Sequence, residues 1–189
     1  MRNLLVSLAA AIALVSCSPS GTSHDAGMGG DILTIYGEIG VVDRGPINAE
    51  IEPLFGAFGI EFDAACVLPW ASLAALEQHT VQVDFPAGGE VRSYSGPLLR
   101  DVLAFAEPQG DSLIVTALDG YQREIALQRV QDHDVILAIR MNGDSLPIGG
   151  LGPTFLAWPR RDDPGLANMS DDDWVWGVFA IQVVDSAAN

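Results

Sequence analysis

The 189 residues are 49% hydrophobic and carry nine basic against 25 acidic side chains, a formal charge of −16. A field this negative repels phosphate backbones and anionic lipid headgroups, which argues against nucleic-acid binding and against adsorption to acidic membranes. The length and the apolar fraction fit one domain with a sizeable core.

At the N-terminus, Arg2 supplies a positive end and Leu4 to Val15 an apolar stretch of about a dozen residues. That is too short to span a bilayer. It ends in Leu14-Val15-Ser16-Cys17, which resembles the lipobox of bacterial lipoproteins: an aliphatic residue, two smaller ones, then the cysteine that receives the lipid. The resemblance implies that Met1 to Ser16 is a removable signal peptide and that Cys17 becomes the lipidated first residue of an exported protein. Ser18 stands where an aspartate would mark inner-membrane retention, so the expected address is the periplasmic face of the outer membrane. Without Arg2 the mature chain keeps eight basic residues, all arginine, and all 25 acidic ones, a formal charge of −17. Its membrane link is then the lipid alone. Lipidation of Cys17 leaves Cys66 unpaired, so the chain has no internal disulfide and its stability must come from packing.

Cys17 to Gly30 reads as a Ser-, Gly- and Pro-rich tether, and the globular domain as residues 31–185. Ile32 to Tyr36 is a short β-rich run. A poorly patterned region follows, then Trp70 to Gln78 with Leu73 and Leu76 on one helical face. Val81 to Phe85 alternates as a strand, and Pro86-Ala87-Gly88-Gly89 turns the chain into a second strand through Tyr94. Gly96-Pro97 opens a helix whose apolar face is Leu98, Leu99, Val102, Leu103 and Ala106, stopped by Pro108 and Gly110. Ser112 to Leu118 and Tyr121 to Leu127 flank Asp119-Gly120, a two-residue hairpin turn. Val135 to Met141 is a buried-type strand ending at Asn142-Gly143. A Gly-rich loop, a strand from Thr154 to Trp158, an acidic loop from Asp162 to Asp173 and a last strand from Trp174 to Val184 complete the chain. Strands predominate without regular alternation, which predicts an α+β domain with mixed sheets and few short helices. Leu113, Val115, Ile125, Leu137, Ile139, Leu156, Phe179 and Ile181 are the expected core.

Four motifs in order carry a resemblance. They are Tyr94-Ser95-Gly96-Pro97-Leu98-Leu99-Arg100-Asp101-Val102-Leu103, then Ala117-Leu118-Asp119-Gly120-Tyr121, then Leu137-Ala138-Ile139-Arg140-Met141-Asn142-Gly143 with Leu146-Pro147 behind it, and finally Gly152-Pro153, Pro159 and the tryptophan-containing last strand. Over about Ile32 to Val184 this series resembles the molybdopterin-binding domain of the sulfite oxidase family, and implies its fold. The family holds its metal with a cysteine thiolate in the segment after the helix that corresponds to Ser72 to Gln78. Here that segment reads Thr80-Val81-Gln82-Val83-Asp84-Phe85, without a cysteine. Cationic side chains meet the pterin phosphate in the family. Their positions correspond to Gly150 or Leu151, Phe155 and Val175, so each donor is lost, and a buried phosphate without charge-assisted partners is costly. Molybdopterin is thus the cofactor the resemblance implies and the one these departures argue against. Tyr94, Arg100, Gly152 and Arg160 are the residues the resemblance leaves as candidate cofactor contacts, with His79 flanking the same cleft. Arg160 and Arg161 either replace the lost cations or form surface ion pairs with Asp162 and Asp163. Cys66 precedes the helix and is either a shifted metal ligand or a buried small hydrophobe.

Gly149-Gly150-Leu151-Gly152 could offer backbone N–H groups to an anion, but lacks the lysine of a phosphate loop and reads as a turn. Asp132-His133-Asp134 could chelate a metal, although adjacent side chains seldom point the same way. Asp171-Asp172-Asp173, with Asp162 and Asp163, could hold calcium but reads as a solvated acidic loop. Trp158, Trp174 and Trp176 either line a pocket or fill the core. Two functions follow: a periplasm-facing molybdopterin oxidoreductase, on the resemblance, or a module that keeps the fold without the metal and binds a small ligand or an envelope protein.

Overall fold

The computed structural model describes residues 30–186; the expected leader, Cys17 and the expected tether through residue 29 lie outside the described residues. In chain order the elements are β1 (Asp31–Gly37), α1 (Pro53–Ala57), β2 (Ala65–Pro69), α2 (Trp70–Ala75), β3 (His79–Asp84) and β4 (Val91–Gly96). There follow α3 (Leu99–Leu103), β5 (Ser112–Ala117), β6 (Gln122–Ala126), α4 (Leu127–Asp132), β7 (Ile136–Ala138) and β8 (Arg140–Met141). The chain closes with β9 (Asp144–Ser145), β10 (Phe155–Ala157) and β11 (Val178–Val184). Mixed sheets with few short helices are what the sequence pattern predicts. Among the described residues no helix is long and apolar enough to cross a membrane.

A five-stranded sheet runs β2-β1-β11-β5-β6, in which β1 and β11 are parallel and the other neighbours antiparallel. Position in this sheet decides the burial pattern. β1 lies inside it and buries Leu33, Thr34, Ile35 and Tyr36 in succession, because both of its faces are covered. β6 is an edge strand, and of its five residues only Ile125 is buried. One face belongs to the main core, with Leu33, Ile35, Leu113, Val115, Ile181 and Val183. The other carries a smaller aromatic core of Tyr36, Phe55, Ile60 and Phe179, which α1 and Phe62 cover. Burial there pushes the Tyr36 phenol up to about 12. All eight expected core residues are buried.

The remaining strands form a four-stranded sheet, β3-β4-β8-β9, and a β7-β10 pair. The expected strand from Val135 to Met141 is therefore two strands. β7 pairs with β10, and β8 pairs with β4. Between them Ile139 donates its N–H to the Ser95 carbonyl, and Leu137 donates to that of Pro97, which stitches the two sheets together. Gly96 is required at this crossing, since a Cβ there would lie 2.1 Å from the Leu137 carbonyl oxygen.

Several boundaries differ from expectation. α2 ends at Ala75 rather than Gln78, because Gln78 turns its amide back onto the carbonyls of Leu73 and Leu76 and so satisfies the helix end. The strand after the hairpin stops at Ala126, and Leu127 begins α4. The last strand begins at Val178, after Gly177 with φ +66° takes the chain out of extended geometry. α1 and β2 both lie in the stretch whose pattern was too weak to assign.

Candidate functional site

Of the residues that the resemblance placed at the metal and the phosphate, Phe85 and Phe155 come together where β3 ends, beside Trp174, while Gly150 and Leu151 stay in their loop. Beyond Asp84 the chain passes to Phe85, whose ring stacks on Trp174 at 5.4 Å with an interplanar angle of 13°. Phe155, from β10, packs 5.0 Å from Phe85 and 5.1 Å from Tyr94 of β4, and lies 6.0 Å from Trp174. Tyr94, Phe155, Val83 and Val175 are wholly buried. Offset and tilted ring pairs at these distances contribute roughly 0.5–1.5 kcal/mol each beyond their burial. The cluster is therefore a well-packed piece of core. Two polar atoms inside it, the Tyr94 hydroxyl and Trp174 Nε1, have no hydrogen-bond partner among the described residues. Burial pushes the Tyr94 phenol up, and the nearby Arg92 guanidinium offsets only part of this.

Arg160 closes one side of the cluster. Its guanidinium lies 4.7 Å over the Trp174 ring, Nη1 donates to Asp171 Oδ1 at 2.6 Å, and Nη2 donates to the Asp84 carbonyl. It is 7% exposed, so the surface pairing with Asp162 and Asp163 expected from its neighbours in sequence is replaced by a buried pairing with more distant ones. Asp84 is held below the usual carboxylate range, chiefly by the Gly88 N–H that donates to it and further by Arg160 and Arg161. Beside this pair lies a depression of about 290 Å³ lined by Asp84, Ala87, Arg160, Arg161, Ala167 and Met169.

The acidic run from Asp171 to Asp173 is a correction to the solvated loop expected for it. Asp173 is 5% exposed and receives Arg123 at 2.5 Å and Arg129. Burial pushes its carboxyl up, but the two guanidinium groups outweigh this and hold it below the ordinary range. Arg129 also lies 4.5 Å over Trp158, whose Nε1 donates to the Asp173 carbonyl. Asp171 accepts the Ala87 N–H at 2.7 Å, and the Asp172 carbonyl accepts the Tyr121 hydroxyl. The run thus ties β6, α4 and the β3–β4 turn to the last strand.

The four candidate cofactor contacts do not converge. Tyr94 and Arg160 both join the aromatic cluster, through Phe155 and Trp174 respectively. Arg100, on α3, pairs instead with Asp134 at 2.7 Å, near the surface. Gly152 is buried in its loop, where a Cβ would meet the Leu146 carbonyl oxygen at 2.3 Å, so its backbone packs on the chain itself. His79 begins β3 with Nε2 buried and unpartnered among the described residues. The Asp132-His133-Asp134 side chains point to different partners: Gln128, Asp163 at 2.5 Å and Arg100. Among the described residues no three His, Cys, Asp or Glu side chains are grouped to hold a metal ion. Trp158 and Trp174 fill the core, whereas Trp176 is 38% exposed. Cys66 lies on β2 with its Sγ 3.8 Å from the Phe105 carbonyl oxygen, and burial together with Asp43 pushes its thiol up. The stacking of Phe85 on Phe155 and Trp174 and the Asp173 pairing were not visible in the sequence, because both depend on partners at least 44 residues away.

Comparison with known proteins agrees with this architecture. Among solved structures, the chain is similar to the sulfane dehydrogenase SoxCD from Paracoccus pantotrophus, at 20% identity and a TM-score of 0.55. The likeness covers 82% of this chain and 38% of that one, so this chain spans well under half of its neighbour's length. No curated protein matches. The family model described as "Oxidoreductase molybdopterin binding domain" matches residues 58–153, just over half of the sequence. With the motif order, the mixed sheets and this match in agreement, the chain belongs to the oxidoreductase molybdopterin-binding domain family.

Proposed function

We propose that this protein is an envelope lipoprotein, anchored by lipid on Cys17 at the periplasmic face of the outer membrane, whose family domain serves as a binding module without molybdenum chemistry. The observation that carries the reading is the packing of Phe85, Phe155 and Trp174 against one another where the family places a thiolate and phosphate-binding cations. A soft metal needs a thiolate directed at it. Val83 and Phe85 supply none, and Cys66 faces the Phe105 carbonyl from another sheet. A buried phosphate needs charge-assisted donors. Arg160 is already committed to Asp84, Asp171 and the face of Trp174. The residues present do not fit the family's cofactor. The small depression beside Arg160 and Arg161 suits a small polar ligand better than a pterin.

Family membership favours the rival reading, an active molybdopterin oxidoreductase of the periplasm, and one measurement separates the two. Protein purified from its native envelope should contain no molybdenum at stoichiometric level by mass spectrometry. Stoichiometric molybdenum that disappears on Cys66→Ser substitution would establish the oxidoreductase and overturn the binding-module reading.

A further inference from the structure

A second surface is built from residues outside the aromatic cluster and the ion-pair network around Asp173. It is the groove beside α1. One half, about 680 Å³, has Ile47, Pro53, Ile60 and Phe62 among its apolar lining and Glu61 and Asp63 on its rim. Glu52 lines this half and also a second depression of about 410 Å³, which continues over Phe179, Ile148 and Pro153. Ile148 is 68% exposed, and Ile51, next to Glu52 in the chain, 76%. The α1 wall, residues 46–56, lies ahead of the family-matched segment, whereas Ile60 to Asp63, Ile148 and Pro153 lie within it.

Charge on the groove has one sign. Asp31, Glu52, Glu61 and Asp63 line it against a single cation, Arg44. Arg44 is engaged: it bonds both carboxylate oxygens of Glu52 at 2.8 Å and lies over the rings of Phe55 and Phe62, at 5.7 and 5.0 Å. Asp31, Glu61 and Asp63 are left without an ion-pair partner among the described residues. The two depressions together exceed the roughly 1,000 Å³ at which small-ligand pockets end. An extended occupant fits them better than a compact one. A second copy of this chain is disfavoured, since it contains no lysine and carries a charge of −16.

We propose that the α1 groove docks an extended segment of a partner protein in which apolar side chains alternate with lysine or arginine. In an extended segment alternate side chains face opposite ways, so one row enters the apolar floor while the other reaches the carboxylates of the rim. The proposal uses none of the residues of the aromatic cluster, so the molybdenum measurement does not decide it.

The test uses the full mature chain and two labelled peptides of about nine residues, one alternating leucine with lysine, the other leucine with glutamate, followed by fluorescence anisotropy. The lysine peptide should bind, and should weaken as salt rises from about 50 to about 500 mM. The glutamate peptide should not bind. Glu61→Gln with Asp63→Asn should lower affinity about five- to tenfold. The same loss of charge at Glu77 and Asp101, two exposed carboxylates outside the groove, should leave it unchanged. Equal binding of both peptides, binding of neither at millimolar concentration, or equal effects of the two charge-removal pairs would each overturn the proposal. So would a homodimer that the groove substitutions abolish, which would assign the surface to a second copy.

Discussion

At the scale of single residues, Asp173 shows what the surroundings do to a charge. Its carboxyl is nearly buried, yet it remains the shared acceptor of two arginines that are themselves more than a third exposed. Breaking a buried pair costs about 3–5 kcal/mol, and the partial hydration of Arg123 and Arg129 lowers the expectation here to about 1–3 kcal/mol for Asp173→Asn at neutral pH. The sign of the pH dependence follows from the depressed folded pKa. The carboxylate's contribution is present above the unfolded value of about 3.9 and fades as pH falls through the folded one. Denaturant midpoints of wild type and Asp173→Asn should therefore differ at pH 7 and converge in acid below about pH 4. A constant gap across that range would show that Asp173 is not ionised in the folded protein. Arg160 and Tyr94 could be named from sequence because they sit in motifs. Their pairing could not, since Asp84, Phe155 and Trp174 reach them only through tertiary contact.

Elements were legible where local chemistry decides them. The hairpin at Asp119-Gly120, the apolar face of α3 and the β3–β4 turn lie where the pattern indicates, because turn residues and periodicity act within a few positions, but the hairpin loop has three residues, Leu118 to Gly120, rather than two, since Ala117 faces Tyr121. α1 and β2 escaped because their stabilisation is borrowed. Five residues of helix gain little on their own and hold here through Phe55 and the aromatic core beneath. The division of residues 135–141 between two sheets was equally hidden, since a continuous apolar run looks the same whichever strand it pairs with. That division puts the strictest requirement on Gly96. Gly96→Ala would drive a methyl group into the Leu137 carbonyl, force β4 and β7 apart and break the bonds from Leu137 and Ile139. We expect a loss of at least about 3 kcal/mol, read as a lower thermal midpoint, whereas Gly143→Ala, with open space around it, should lose less. Equal losses at the two positions would contradict the crossing described for Gly96.

For the whole molecule, the fold class was readable because motif order survives when individual residues change. Function was less so, because the departures at residues 80–85, 155 and 175 acquire meaning only once those positions are seen to pack on one another. The proposed address is a separate matter, since it rests on residues outside the described part of the chain. Cys17→Ala should leave the precursor unprocessed and unlipidated, and metabolic labelling with a fatty acid would check it; a labelled mature form of the variant would remove the anchor from the reading.

The parallel pairing of β1 with β11 ties residues 34–37 to residues 180–183. Timing follows from that geometry. A ribosome, or a channel that passes the chain as a thread, delivers every strand between them before the first meets its inner neighbour. Until Val178 to Val184 arrive, β1 and β2 can form only a hairpin-like pair, and β5 and β6 another, each with a bare edge and an uncovered apolar face. The interval between the emergence of Gly37 and that of Val184 is thus when the chain is most open to aggregation and proteolysis, and when a holding chaperone has most to offer it.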